Sequence, residues 1–143
     1  GGSGYLFRAA TVQDFSAVTG ACLLVRTSVW DEVKGLDEKF AVAFNDVDFC
    51  LRVRDKGYRI VWTPYAQLTH YESKSRGGDE KDPVKAARFA AEQQGLYDVH
   101  GKADILDDPY YNPSLTHDRE DFSESGDLRN LKEGKVTVRW RNA

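Results

Sequence analysis

The sequence predicts a mixed α/β fold, and three observations lead to it. The run "FSAVTGACLLVR" (15–26) is apolar and rich in β-branched and small residues, as a buried strand is. "DVDFCLRVRDKG" (46–57) carries Val47, Cys50 and Leu51 at i, i+3, i+4 spacing, which predicts a helix. "YRIVWTPYAQLTH" (58–70) alternates apolar and polar positions on either side of Thr63-Pro64, which predicts two short strands with a bend between them.

Taken in chain order, "GGSG" is a flexible opening, and the first strand follows it. Ser28 then caps a short helix, "VWDEVK", with Gly35 supplying its left-handed stop. After the turn "GLDEKF", Asn45 or Asp46 caps the second helix, Arg52 and Arg54 face solvent, and Gly57 ends it. The polar, glycine-bearing "ESKSRGGDEKD" reads as a loop. Asp82 as cap and Pro83 at the first helical position open a third helix running to the region of Gly95 to Gly101. "DDPYYNPSLTHDREDFS" is expected to be extended, with Tyr110 and Tyr111 anchoring it, and "EGKVTVRWRNA" to be a turn and an edge strand. The expected sheet comprises three strands, around Val18, Ile60 and Leu68.

With 143 residues, 41% of them hydrophobic, the chain can bury the modest core of one domain, with or without an appendage. Twenty Lys and Arg against 23 Asp and Glu, a net charge of -3, argue against a general nucleic-acid binder. No apolar run approaches the ~20 residues of a membrane helix and no signal-peptide pattern opens the chain, so a soluble, cytosolic protein is expected. Cys22 and Cys50 are too few for a disulfide scaffold and are expected to be buried thiols. The absence of methionine points to a piece of a longer protein.

Three polar residues raise the question of chemistry. A carboxylate in the first turn of a helix is favoured in its ionised form by backbone N–H groups and the helix dipole, so Asp46 suits a general base; the same facts also describe an N-cap. Asp48 points to a different helical face, consistent with an acceptor-side hydrogen bond or with a solvated carboxylate. His70 ends an alternating run where an imidazole could meet a cation, or be structural. "SRGG" (75–78) offers an arginine and flexibility for a diphosphate, without a phosphate-loop pattern. His100 and His117 have no partner at metal-ligand spacing and receive no site role.

The stretch "AVTGACLLVRTSVWDEVKGLDEKFAVAFNDVDFCLRVRDKGYRIVWTPYAQLTHYESKSRG" (17–77) resembles the C-terminal half of the catalytic domain of family 2 glycosyltransferases, and the "DPYYNPSLTHDREDFS" tail resembles bacterial rhamnosyltransferase-like members that build cell-surface polysaccharide. The resemblance implies the C-terminal portion of a GT-A fold: residues 1–80 as the acceptor-side half, with a small mixed sheet flanked by helices, and residues 81–143 as a helical and extended appendage. It implies an inverting transfer from a nucleotide-sugar donor to a glycan or lipid-linked acceptor. Asp46 inherits the base role of the "ND" motif, and His70 a share in holding Mn²⁺ or Mg²⁺. Thr19, Gly20, Ala21, Asn45 and Asp48 line the acceptor and donor-sugar region, and Ser75 and Arg76 the diphosphate loop.

The DxD-bearing N-terminal half of that family is absent from these residues, so the isolated chain is expected to be inactive. An apolar face left uncovered would favour self-association, and peripheral membrane association at the inner face is an expectation for the parent. The alternative reading is a non-catalytic glycan- or protein-binding module derived from this fold. A hydrolase using Asp46, Asp48 and His70 directly is disfavoured by the face separation of the two aspartates.

Overall fold

The computed structural model describes residues 4–69, 82–119 and 122–125. The chain divides into two units at Tyr110/Tyr111.

In the first unit, β1 (Gln13–Phe15) pairs antiparallel with β2 (Ile60–Trp62), Gln13 opposite Trp62 and Phe15 opposite Ile60. Between them in sequence lie α1 (Thr27–Val33) and α2 (Asn45–Asp55). After β2 come α3 (Pro83–His100) and α4 (Lys102–Leu106). The α/β class therefore holds, but the sheet among the described residues is a two-stranded antiparallel pair, not the expected mixed sheet of three strands. Val18 and Leu68 both lie outside the strands. The expected strand 15–26 is a strand only at its first residue: 20–22 is a 3-10 turn and the rest lacks a ladder. β-branched composition favours a strand only where another backbone accepts its hydrogen bonds, and none does so here among the described residues.

The core joins one face of each of α1 and α2 to β2. Val29 and Val33, one helical turn apart, meet Phe49, Cys50, Val53 and Ile60, with Ala17, Val18, Leu23 and Val25 packed against them. The buried face of α2 is thus Phe49, Cys50 and Val53, not Val47, Cys50 and Leu51. Cys50 is buried as expected, whereas Cys22 is exposed because its segment is not a sheet interior.

Helix ends follow local chemistry. α1 stops where Lys34 and Gly35 adopt φ of 63° and 66°. A Cβ on Gly35 would stand 2.8 Å from Trp30 Cζ2, so glycine is required there on two counts. Thr27 opens α1, so Ser28 is not its cap. α3 begins as expected: the Asp82 carboxylate accepts the Val84 N–H at 2.9 Å and Pro83 is the first residue.

The second unit is organised by a bridge between Leu115 and Glu124. There the Tyr111 hydroxyl donates to the Thr116 carbonyl at 2.8 Å, and its ring stacks on His117 and Phe122. Tyr111 accordingly packs within its own unit, while Tyr110 receives the Arg54 guanidinium over its ring at 5.4 Å. The C-terminal strand expected at 136–140 lies outside the described residues.

Candidate functional site

The site begins at the N-terminus of α2. Phe44, the residue before the helix, has φ of 63°, a conformation uncommon for a residue with a Cβ, and provides no side-chain cap. The Asn45 carboxamide oxygen accepts the Asp46 N–H at 2.8 Å, and Asp46 Oδ1 accepts the Val47 N–H at 2.9 Å. Asp46 Oδ2 reaches outside the helix and accepts the Gly20 N–H at 2.7 Å. Asp46 is therefore more than a cap: it ties the first turn of α2 to an exposed segment 26 residues earlier.

Gly20 belongs in that contact. A Cβ there would lie 3.3 Å from Asp46 Cβ, close enough that Asp46 would have to give by a few tenths of an ångström. Thr19, Gly20 and Ala21 are all exposed, with the Thr19 hydroxyl accepting the Ala21 N–H at 3.3 Å. They are thus not a buried strand, and the structure brings Thr19, Gly20, Ala21, Asn45 and Asp46 together as one half-open polar edge.

Asp48 belongs to a different environment. Its carboxylate is 1% exposed, which rules out the solvated carboxylate, one of the two readings the sequence left open. Arg52 Nε donates to Oδ2 at 2.8 Å, and Nη2 forms an ion pair with the same oxygen at 2.7 Å. His100 Nε2 lies 2.8 Å from Oδ1, and since a carboxylate only accepts, that nitrogen carries the proton. Arg52, expected in solvent, also donates to the carbonyls of Val33 and Gly35, satisfying the end of α1. One carboxylate thus joins α1, α2 and α3, and it is the residue sequence reasoning placed least well.

Reasoning from sequence also missed α3 as part of this site. Phe89, Glu92, Leu96 and His100 recur every three or four residues along one helical face, and two of those four are ionisable; a polar break in an apolar stripe was the available signal. Glu92, 7% exposed, accepts the Ala43 N–H at 2.6 Å, and the Phe89 ring packs on Phe44 with centroids 4.9 Å apart.

His70, Ser75 and Arg76 lie outside the described residues. Among the described residues no three His, Cys, Asp or Glu side chains converge as a cation site. Asp48 does not suit one, since both of its oxygens are committed to Arg52 and His100. Burial pushes the Cys50 thiol above its ordinary 9.0, with the nearby Asp46 charge adding to the effect.

The sequence model for the glycosyl transferase family group 2 matches residues 2–88, which include the whole Asp46 edge. The chain belongs to that family. It is 46% identical over 121 residues to an uncharacterized protein of Sinorhizobium fredii, covering 84% of the chain and 13% of that relative. It is 35% identical over 104 residues to the O-antigen biosynthesis protein RfbC of Myxococcus xanthus, covering 73% of the chain and 8% of the relative. It is also 35% identical over 80 residues to N-acetylglucosaminyl-diphospho-decaprenol L-rhamnosyltransferase of Mycobacterium tuberculosis, covering 56% of the chain and 24% of the relative. The chain therefore spans a quarter or less of the length of each of these relatives. No solved structure matches it. Among the described residues no helix is long and apolar enough to cross a membrane.

Proposed function

We propose that the chain is the acceptor-side part of an inverting glycosyltransferase of cell-surface polysaccharide synthesis, with Asp46 as general base. The observation that carries this reading is the Asp46 carboxylate, oriented by the N–H groups of Gly20 and Val47 toward the exposed 19–21 segment. A base needs a fixed direction and a lone pair to spare: the Gly20 and Val47 N–H groups fix this half-exposed carboxylate, and each of its oxygens accepts one hydrogen bond and keeps a second lone pair. In the reaction it accepts the proton of the acceptor hydroxyl as that oxygen bonds to the anomeric carbon and the bond from that carbon to the donor diphosphate breaks. Attack opposite the leaving group inverts the anomeric configuration.

The names of the relatives favour a nucleotide-activated deoxyhexose such as L-rhamnose as donor and a diphospholipid-linked sugar as acceptor. Residues 1–80 supply the acceptor-side half, with Thr19, Gly20, Ala21 and Asn45 beside the reacting sugars. Residues 81–143 form an appendage whose α3 packs on the base-bearing loop. Family 2 enzymes commonly use a divalent cation; a cation site here would draw on His70 and on groups beyond the described residues, with Ser75 and Arg76 near the diphosphate.

The groove of about 310 Å³ bordered by Leu23, Leu24, Val25, Tyr58 and Val61, with Leu24 97% exposed, is where the remainder of the parent enzyme would pack. Left uncovered, that face would favour self-association of the 143-residue chain, visible by sedimentation. The deciding experiment is Asp46→Asn in the full-length enzyme, assayed for transfer from nucleotide-activated L-rhamnose to a diphospholipid-linked N-acetylglucosamine. A loss of about 10²–10⁴-fold in kcat is expected of a general base. Transfer retained within tenfold removes Asp46 from that role.

A further inference from the structure

We infer that Glu92 and His100 of α3 are positioning residues for the Asp46 carboxylate, gripping the chain on either side of it. The inference rests on the reading of Asp46 as base. Asp46 sits between two points held from the same helix. On one side Glu92 accepts the Ala43 N–H at 2.6 Å; on the other His100 donates to Asp48 at 2.8 Å. Between them Phe44 holds its φ of 63° with its ring against Phe89, so α3 touches the turn three times within six residues.

Each contact does something packing alone would not require. Glu92 and Asp48 are buried carboxylates, 7% and 1% exposed, and burying a charge is costly unless it is hydrogen-bonded. An apolar stripe would hold α3 in place at lower cost; a carboxylate on one backbone N–H and an imidazole on one carboxylate oxygen add a defined direction. The turn they hold begins at a left-handed Phe44 that gives no side-chain cap itself, a conformation that surrounding structure must over-determine to persist. Both residues lie beyond the segment that the family's sequence model matches, at 2–88. A displacement of 1 Å at a reacting group costs about 10²-fold in rate, which makes the restraint consequential.

The test reads position and rate separately. In the 143-residue chain labelled with ¹⁵N, the Gly20 amide resonance reports the hydrogen bond to Asp46, and the Ala43 amide that to Glu92. His100→Leu and Glu92→Leu are expected to move the Gly20 resonance, although neither residue touches Gly20. His100→Gln, whose amide nitrogen can donate where Nε2 does, is expected to restore it. In the full-length enzyme the Leu variants are expected to lower kcat by about 10–100-fold with the donor KM unchanged, and His100→Gln to recover most of it.

A Gly20 resonance and kcat left unchanged by both Leu variants, with only the melting temperature lowered, would overturn the inference and leave a structural contact. If His100→Leu does not fold, Glu92→Gln serves: the Gly20 resonance shifts together with that of Ala43 if the grip is real, and stays in place if it is not. Asp46→Asn separates the two readings, because transfer surviving that change removes the base assignment while the amide resonances still report whether α3 holds the turn.

Discussion

Replacing Arg52 with leucine removes the partner of a carboxylate that is 1% exposed and leaves it with His100 alone. The variant also strips donors from the carbonyls of Val33 and Gly35 at the end of α1. Breaking a buried ion pair from one side costs about 3–5 kcal/mol, chiefly because the remaining charge stays desolvated. Native domains are stable by only about 5–15 kcal/mol, so this is a large share of the total. At roughly 3–4 °C per kcal/mol for a chain of this size, the melting temperature should fall by about 10–20 °C. Thermal unfolding of the 143-residue chain followed by circular dichroism measures it. Arg54→Leu is the matched control: that guanidinium lies over the Tyr110 ring at 5.4 Å, a contact worth about 0.5–1 kcal/mol, so its melting temperature should drop by only a few degrees. Asp48→Asn added to Arg52→Leu should be less than additive, since the charge left stranded is then gone. If Arg52→Leu melts no lower than Arg54→Leu, the pair contributes little and the account of three helices joined through Asp48 is wrong.

Gly20→Ala places a methyl 3.3 Å from Asp46 Cβ on an exposed segment, so stability should change by less than about 1 kcal/mol while transfer by the full-length enzyme falls; unaltered transfer would show that the carboxylate tolerates the displacement. In the folded chain a thiol reagent should modify exposed Cys22 rapidly and buried Cys50 only on unfolding, and equal rates at the two would contradict the burial of α2. The Cys50 thiol is raised in the folded state, so its contribution is complete below the unfolded value near 9.0 and is lost as pH climbs through the folded one. Urea midpoints should therefore drop on the alkaline side, and Cys50→Ala should flatten that slope.

Local chemistry made the helices readable in advance. Asp82-Pro83 marks the start of α3, Gly57 follows α2, and Gly35 follows α1, because caps and left-handed stops depend on a residue and its near neighbours. The apolar run 15–26 misled because strand formation needs a partner backbone, and composition does not say whether one is within reach. Asp48 misled for a related reason: a first-turn carboxylate is solvated or buried according to what packs over it, and here that is a histidine 52 residues away.

The sequence by itself determined the family, the α/β class, the places of the three longer helices and the start of α3, all of which rest on short-range spacing and on a motif. Only the tertiary structure decided that Asp46 bonds to Gly20, that Asp48 and Arg52 are an interior pair, and that α3 reaches back to both sides of Asp46. Those are contacts between residues distant in sequence, and whether a charge is solvated or paired is set by the three-dimensional surroundings that desolvate it.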